Sequence, residues 1–378
     1  MSSAPGGNLH GMEHAFGRSA PFTVGIEEEF QLLSAGSYEL VPRFDEVAEA
    51  AGDERVRREL MTSVLEAATG IHTHVAEAVT EVREIRALLQ DAAADRSAVI
   101  ASAGTHPFSR WEHQEITDSP RYQGVVEELR WVAEQVAIFG LHVHVAVPSP
   151  DIAMGVVTSL RTHVPELLAL SANSPFWQAR DTGLASARSK VFDAMPRSGL
   201  PPAFRSFDEF TELVARGTSA GFFDDYTYLW WDVRPHPKLG TVELRAFDAQ
   251  TRVESVAALA ALGQSLVATY ADQPLEPQPR SLIAENKWRA ARYGLDAELV
   301  DLETGRRRPA RDAVRELADT AMPAAGRLGC TAELAAIEEL CERGTGADEQ
   351  RLVHERGGSL LAVAQWLAAT PVEGLTAA

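Results

Sequence analysis

The segment FTVGIEEEFQLL, Phe22 to Leu33, constrains this chain most, because it alternates like a strand while carrying three consecutive acids at its centre. In an extended conformation Phe22, Val24, Ile26, Phe30 and Leu32 share one face, Glu27 and Glu29 share the other, and Glu28 points away from them. Two neighbouring carboxylates repel, so the arrangement calls for a cation between them, and a hard divalent ion such as Mg2+ is the usual partner for oxygen ligands. A solvated edge face is the alternative reading.

Three further segments repeat this grammar. In FGLHVHVAVP, Leu141, Val143, Val145 and Val147 alternate with His142 and His144. In GTVELRAFDAQ, Val242, Leu244 and Ala246 alternate with Thr241, Glu243, Arg245 and Phe247. YTYLWWDVRPHP aligns Tyr226, Tyr228, Trp230, Asp232, Arg234 and His236 on one side. Singly, each pattern reads as well as a structural partnership as it does a ligand set. Together they predict an α+β fold, with one antiparallel sheet covered by helices on one face and a charged concave floor on the other.

The chain has 378 residues, enough for one large domain or two ordinary ones. Its net charge of -19 argues against nucleic acid or an anionic membrane as the main partner. Anionic small molecules would need local cations, and Arg188, Arg234 and Arg245 are the candidates. Cys330 and Cys341 read as reduced, buried thiols in a late helical stretch, which fits a cytosolic setting. Residues 1–20 read as a flexible lead, and no run approaches the ~18 apolar residues that span a bilayer.

Residues 42–60 are expected to be helical, followed by a short extended stretch carrying Glu66. Val75, Val79, Val82, Ile85, Leu88 and Leu89 predict a long helix over 74–93 that covers the sheet. VIASAGTHPF reads as a buried strand, and Val125, Leu129, Val132, Ala133 and Val136 mark a second amphipathic helix. Residues 150–172 form a helix interrupted near Pro165, and 174–205 an irregular stretch that is either a lid or a packed surface loop. A helix from about Val253 to Tyr270 leads through a Pro-rich spacer into a mostly helical part, 281–378, whose apolar helices are compatible with self-association. Arg306, Arg307 and Arg308 read as a solvated surface run. No glycine-rich phosphate loop is present, so nucleotide binding would rest on a metal and scattered basic residues.

Seven blocks, GIEEEF (25–30), SVLEAATG (63–70), GTHPF (104–108), FGLHVHV (139–145), DVRPHPKLGTVELR (232–245), NKWRAARYGL (286–295) and GGSLLAV (357–363), resemble the signature blocks of the glutamate–cysteine ligase type 2 family of ATP-dependent carboxylate-amine ligases, in that family's order. The resemblance runs from about Pro21 to the C-terminus, so it implies a single catalytic domain over 21–378. It further implies a fold like the catalytic half of glutamine synthetase, with ATP and Mg2+ as cofactors. The implied chemistry moves the γ-phosphoryl group of ATP to a carboxylate and lets an amine attack the acyl phosphate. Carried onto this chain, Glu27, Glu29, Glu66, His144 and Glu243 are the implied metal ligands. Arg245 would stabilise the transferring phosphoryl group, and Arg234 or Arg188 would grip the substrate's other carboxylate. Lys287 and Arg292 are implied nucleotide-binding residues. The reaction expected is weak joining of glutamate, through its γ-carboxylate, to an amine such as cysteine. A metal-dependent hydrolase using the same acids, or a non-catalytic metabolite-binding protein, is the alternative.

Overall fold

In the computed structural model, which describes residues 12–370, seven strands form one open antiparallel sheet. They are β1 (Val24–Ser34), β2 (Val56–Arg58), β3 (Val64–Ala68), β4 (Ala98–Ala101), β5 (Gly140–Ala146), β6 (Val233–His236) and β7 (Thr241–Asp248). Their order is β6-β7-β5-β1-β3-β2, with β4 pairing the second half of β1. Every one of these pairings is antiparallel, as half-polar strands require.

One face of the sheet is apolar and buried under helices. Ile26, Val143, Val145, Val242 and Leu244 pack with residues of the helices Val75–Ala94, Pro150–Leu160, Val164–Ser171 and Val253–Asp272 in a single core. The Val75–Ala94 helix forms where apolar residues recur every three or four positions, and His74 with Glu77 makes a capping box at its start. Val253–Asp272 is the one helix, among the described residues, long and apolar enough to cross a membrane, but 89% of its apolar window is buried within the fold. Pro165 sits in the first turn of Val164–Ser171, where its missing N–H costs nothing, and a single 3-10 turn, Arg161–His163, makes the interruption.

Glu28 is the exception on the apolar face. Its carboxylate takes two hydrogen bonds from Arg86, at 2.6 and 3.1 Å, and Arg86 also donates to the carbonyls of Gln250 and Thr251. Both side chains are excluded from water. One arginine on the covering helix thus ties β1 to the segment leading into Val253–Asp272.

Five expectations need correction. The helix expected over 42–60 ends at Ala51, because Gly52 adopts a left-handed conformation, and the chain then forms β2. The single helix expected around 125–136 is broken into Pro120–Leu129 and Trp131–Glu134 by Arg130, at φ 50°. Phe247 lies in the core rather than on the polar face, because a β-bulge between Leu244 and Phe247 shifts the register against β5 by one residue and reverses the alternation. Tyr226–Tyr228 is a 3-10 turn and Trp230–Trp231 pairs with Ser198–Gly199 outside the main sheet, so the long strand expected over 226–236 is only Val233–His236. Residues 12–20 are tied down, since Phe16 is buried against Phe207 and the backbone of Ala15 and Gly17 bonds to Pro237 and Val147. The rest of the expected lead, 1–11, lies outside the described residues.

Replacing Arg86 by Met strands the Glu28 carboxylate in the core. Chemical denaturation is expected to show a loss of about 3–5 kcal/mol, most of it recovered in the double variant that also carries Glu28→Gln. Equal stability of Arg86→Met and the parent would contradict this role.

Candidate active site

The strand register assembles the site row by row. Arg234 on β6, Glu243 on β7, His144 on β5 and Gly25 on β1 are successive cross-strand partners. The next row sets His142 opposite Glu27, and the third sets Glu29 opposite Glu66, which in turn faces Arg57 on β2. Directly opposed side chains have Cβ atoms about 5 Å apart, so these rows bring their polar heads together. They line a cavity of about 560 Å3. One side of it is apolar, with Met61, Val64, Tyr122, Val125 and Ile138, and the other is aromatic and basic, with Phe192, Tyr226, Trp230 and Lys238.

At the acidic end, Glu29, Glu59 and Glu66 each offer an oxygen within 4.8 Å of the other two. Crowding three buried carboxyl groups makes each harder to ionise. Burial and the Glu59 charge push Glu29 up to about 8. Burial and the charges of Glu27, Glu59 and Glu29 hold Glu66 well above the usual carboxylate range, and burial raises Glu59. Three hard oxygen donors that resist ionisation together are the set that a small divalent cation fits.

Glu27, one row away, behaves in the opposite way. Burial is the largest influence on it and disfavours its charge, but the 2.6 Å hydrogen bond from the His142 Nδ1–H and the electrostatic pull of His142 and His144 together outweigh burial, holding it at about 2. Burial and the Arg245 charge keep His142 neutral, down to about 4, so its buried Nε2 carries a lone pair with no protein partner. That atom lies 3.9 Å from Glu29. His144 shares a hydrogen bond of 3.0 Å with Thr241 and stands 3.9 Å from Glu243.

The arginines divide into two kinds. Arg234 is committed to the fold: it forks onto Glu243 at 2.7 and 3.2 Å, and its remaining nitrogen bonds the carbonyls of Thr227 and Leu229. The expected grip of Arg234 on a substrate carboxylate is therefore corrected, since most of its donors are used. Arg245 bonds only Glu243, leaving its buried Nε without a partner. Arg188 hydrogen-bonds only the Arg245 carbonyl, at 3.4 Å, stands 3.9 Å from Asp248, and its Nε is also unpartnered. These two retain donors for an anion. Glu243, between Arg234 and Arg245, is held well below the usual range, their charges outweighing its burial.

Arg188 comes from the irregular 174–205 stretch, on the short helix Ala187–Phe192. Asp248 anchors the start of that helix, accepting from Ser174 Oγ at 2.6 Å and Ser186 Oγ at 2.9 Å. Gly140 makes the close approach possible, because a Cβ there would stand 2.3 Å from Arg188 Nη2 and 2.9 Å from His142 Nε2.

The structure thus brings Glu27, Glu29, Glu66, His144, Glu243, Arg188, Arg234 and Arg245 to one cavity, and leaves two expected residues outside it. Lys287 is buried between Asp193, at 2.8 Å, and Asp232, at 2.8 Å, its charge committed to those two carboxylates. Arg292 donates to the Gly183 carbonyl and covers the Tyr293 ring. Sequence reasoning missed Glu59, which sits in the β2–β3 connection seven residues before Glu66. Only reading VRRELMTSVLEAA as a hairpin rather than a helix end would have brought the two acids together.

A family model described as Glutamate-cysteine ligase family 2 matches residues 23–365. A Rubrobacter xylanophilus protein provisionally named glutamate–cysteine ligase 2-3 is 51% identical over 362 residues, covering 94% of this chain and 99% of that protein. A Thermobifida fusca protein provisionally named glutamate–cysteine ligase 2 is 39% identical over 358 residues, covering 91% and 90%. Among solved structures, the glutamate–cysteine ligase of Francisella tularensis in complex with AMP superposes with a TM-score of 0.69 at 14% identity, covering 94% of this chain and 90% of that one. At that identity the likeness is one of fold.

A raised carboxyl pKa stabilises the fold at low pH and loses that contribution as pH rises through the folded value. Because His106, His142, His163 and His236, each held down to about 4 chiefly by desolvation, oppose this trend up to about pH 6.5, the metal-free protein is expected to melt at progressively lower temperature between about pH 6.5 and pH 8, a fall set by Glu29 and reinforced by Glu59 and Glu66. Glu27 titrates below this window and does not offset it. Scanning calorimetry should show the fall, and Glu29→Gln should flatten it; a melting temperature that climbs over this range would contradict the assignment.

Proposed function

The chain belongs to glutamate-cysteine ligase family 2, and on that premise we propose that it is an ATP-dependent ligase joining an amino-acid carboxylate to an amine. The observation that carries the reading is the convergence, in one cavity, of a cation-demanding acid cluster with two arginines whose donors are unspent. ATP and a carboxylate substrate repel one another, and these two features answer that repulsion from opposite sides.

Glu29, Glu59 and Glu66 would hold one Mg2+, and Glu27, Glu243 and His144 line the adjoining floor where a second fits. Bound there, the metal neutralises phosphate oxygens and polarises the γ-phosphoryl group for transfer. Arg245 is placed to stabilise negative charge on the transferring group, and Arg188, reaching the Arg245 carbonyl from the helix Ala187–Phe192, to hold a carboxylate. The His142 N–H keeps Glu27 ionised and fixed in direction, as an orienting partner does for a metal ligand. Arg234 instead fixes Glu243. With the carboxylate activated as an acyl phosphate, the amine attacks the carbonyl carbon, and phosphate leaves with the electrons of the C–O bond.

The names of the relatives point to glutamate as the acid and cysteine as one acceptor; we take the γ-carboxylate as the group activated and the activity toward that pair as weak, as the resemblance of the sequence blocks implies. The free, buried Cys330 and Cys341 suit a reducing compartment, and we place the protein in the cytosol.

ADP and phosphate release from Mg-ATP should require both acid and amine together. A panel of amino acids and amines, assayed by coupled ADP detection, checks this; turnover indifferent to ATP would mark a hydrolase instead. Arg245→Ala and Glu66→Gln are each expected to lower kcat by about 10²–10³-fold while the protein remains folded.

A further inference from the structure

Lys287 lies outside the cavity, yet it joins the segments that carry three of the five arginines lining it, Arg188, Arg234 and Arg245. Its ammonium sits 2.8 Å from Asp193 and 2.8 Å from Asp232, and the side chain is almost wholly buried. Asp193 caps the end of the helix Ala187–Phe192, which presents Arg188 and Phe192 to the cavity, and Met195 follows two residues later. Asp232 lies two residues before Arg234, and its backbone carbonyl accepts the Arg245 N–H at 2.7 Å. Its own N–H bonds the Gly199 carbonyl at 2.9 Å, at the other end of the Arg188-bearing stretch.

The charges close on themselves. Lys190 takes the second oxygen of Asp193 at 2.5 Å, so two ammonium groups balance two carboxylates. The carboxylates outweigh burial and keep Lys287 charged, its pKa raised rather than lowered. No donor in this cluster points at the cavity, so ligand binding does not explain why a lysine is buried here. Its reach from the end of the Arg188-bearing helix to the start of the Arg234 strand does.

We infer that Lys287 is a positioning residue: by clamping Asp193 to Asp232 it holds the helix that carries Arg188 against the strands that carry Arg234 and Arg245, and so sets how the three guanidinium groups are spaced in the cavity. The inference rests on the ligase reading and extends it, because the spacing of those guanidinium groups is what fits a phosphoryl group and a carboxylate at once. Removing the ammonium leaves Asp232 facing Asp193 across a short gap, and their repulsion parts the two segments. A misplacement of about 1 Å in such a site costs on the order of a hundredfold.

The test compares Lys287→Met, Lys287→Arg and Asp193→Asn with the parent, using calorimetric titration of Mg2+ plus a non-hydrolysable ATP analogue, together with thermal melting. Asn286→Ala on the same helix serves as the control. It breaks the pair of 2.7 Å hydrogen bonds to Val300 and touches neither aspartate. Lys287→Met is expected to weaken analogue binding by roughly ten- to a hundredfold at temperatures well below its melting point. Lys287→Arg should restore most of that loss, and Asn286→Ala should lower the melting temperature with binding unchanged. If Lys287→Met does not fold, Asp193→Asn, whose carboxylate is partly exposed, carries the same expectation. Parental affinity in the folded variant, with only the melting temperature reduced, would overturn the inference. Failure of the parent itself to bind the analogue would instead overturn the ligase reading beneath it.

Discussion

Repulsion between carboxylates is the constraint around which this fold is arranged. Glu29 and Glu66 are direct cross-strand partners, and Glu59 curls in beside them from the β2–β3 connection. Like charges opposite one another destabilise a sheet, and here burial makes the cost larger. The chain keeps them apart from bulk water, and the nearby Arg57, Arg188 and Arg245 do not offset burial and mutual repulsion, so their pKa values rise and they resist ionisation. Elsewhere on the same floor the protein does the reverse. Glu27 has His142 and Glu243 has two arginines, and both acids stay ionised. The floor is thus graded, from carboxylates held as anions to carboxylates that wait for a cation.

The opposite face of the sheet makes this possible. Strands whose inner residues are Ile26, Val143, Val242 and Leu244 bury enough apolar surface beneath four helices to support a charged floor. The Glu28–Arg86 pair lies on that buried side and is satisfied by its own geometry, with two further carbonyls taking the remaining donors. Three consecutive acids in one strand therefore meet three different fates. Alternation sends the middle one to the core and the outer two to the cavity, and register then gives Glu27 an imidazole and Glu29 another acid.

Much of this was legible in the sequence because period-two alternation survives tertiary folding when one face is buried. The antiparallel sheet, the covering helix from Val75, the direction of Glu28 and the gathering of Glu27, Glu29, Glu66, His144, Glu243, Arg188 and Arg245 all follow from that pattern and from the family blocks. What escaped depended on contacts that no local pattern encodes. The bulge that returns Phe247 to the core reflects packing against β5. The commitment of Arg234 to Glu243 depends on which of two arginines faces it across the strand pair. Glu59 was hidden because VRRELM reads as a helix end until β2 is seen pairing β3. Lys287 read equally as an anion-binding residue and as a structural ion-pair partner, and only the structure shows the two aspartates around it.

The claim beneath all of this is that Glu29, Glu59 and Glu66 hold a divalent cation between them. Anomalous diffraction from crystals soaked in Mn2+ with a non-hydrolysable ATP analogue tests it most directly. The account predicts a peak within coordinating distance of all three carboxylates, with phosphate oxygens completing the shell. A well-ordered analogue with no peak among those acids, or with manganese bound only elsewhere in the cavity, would contradict it.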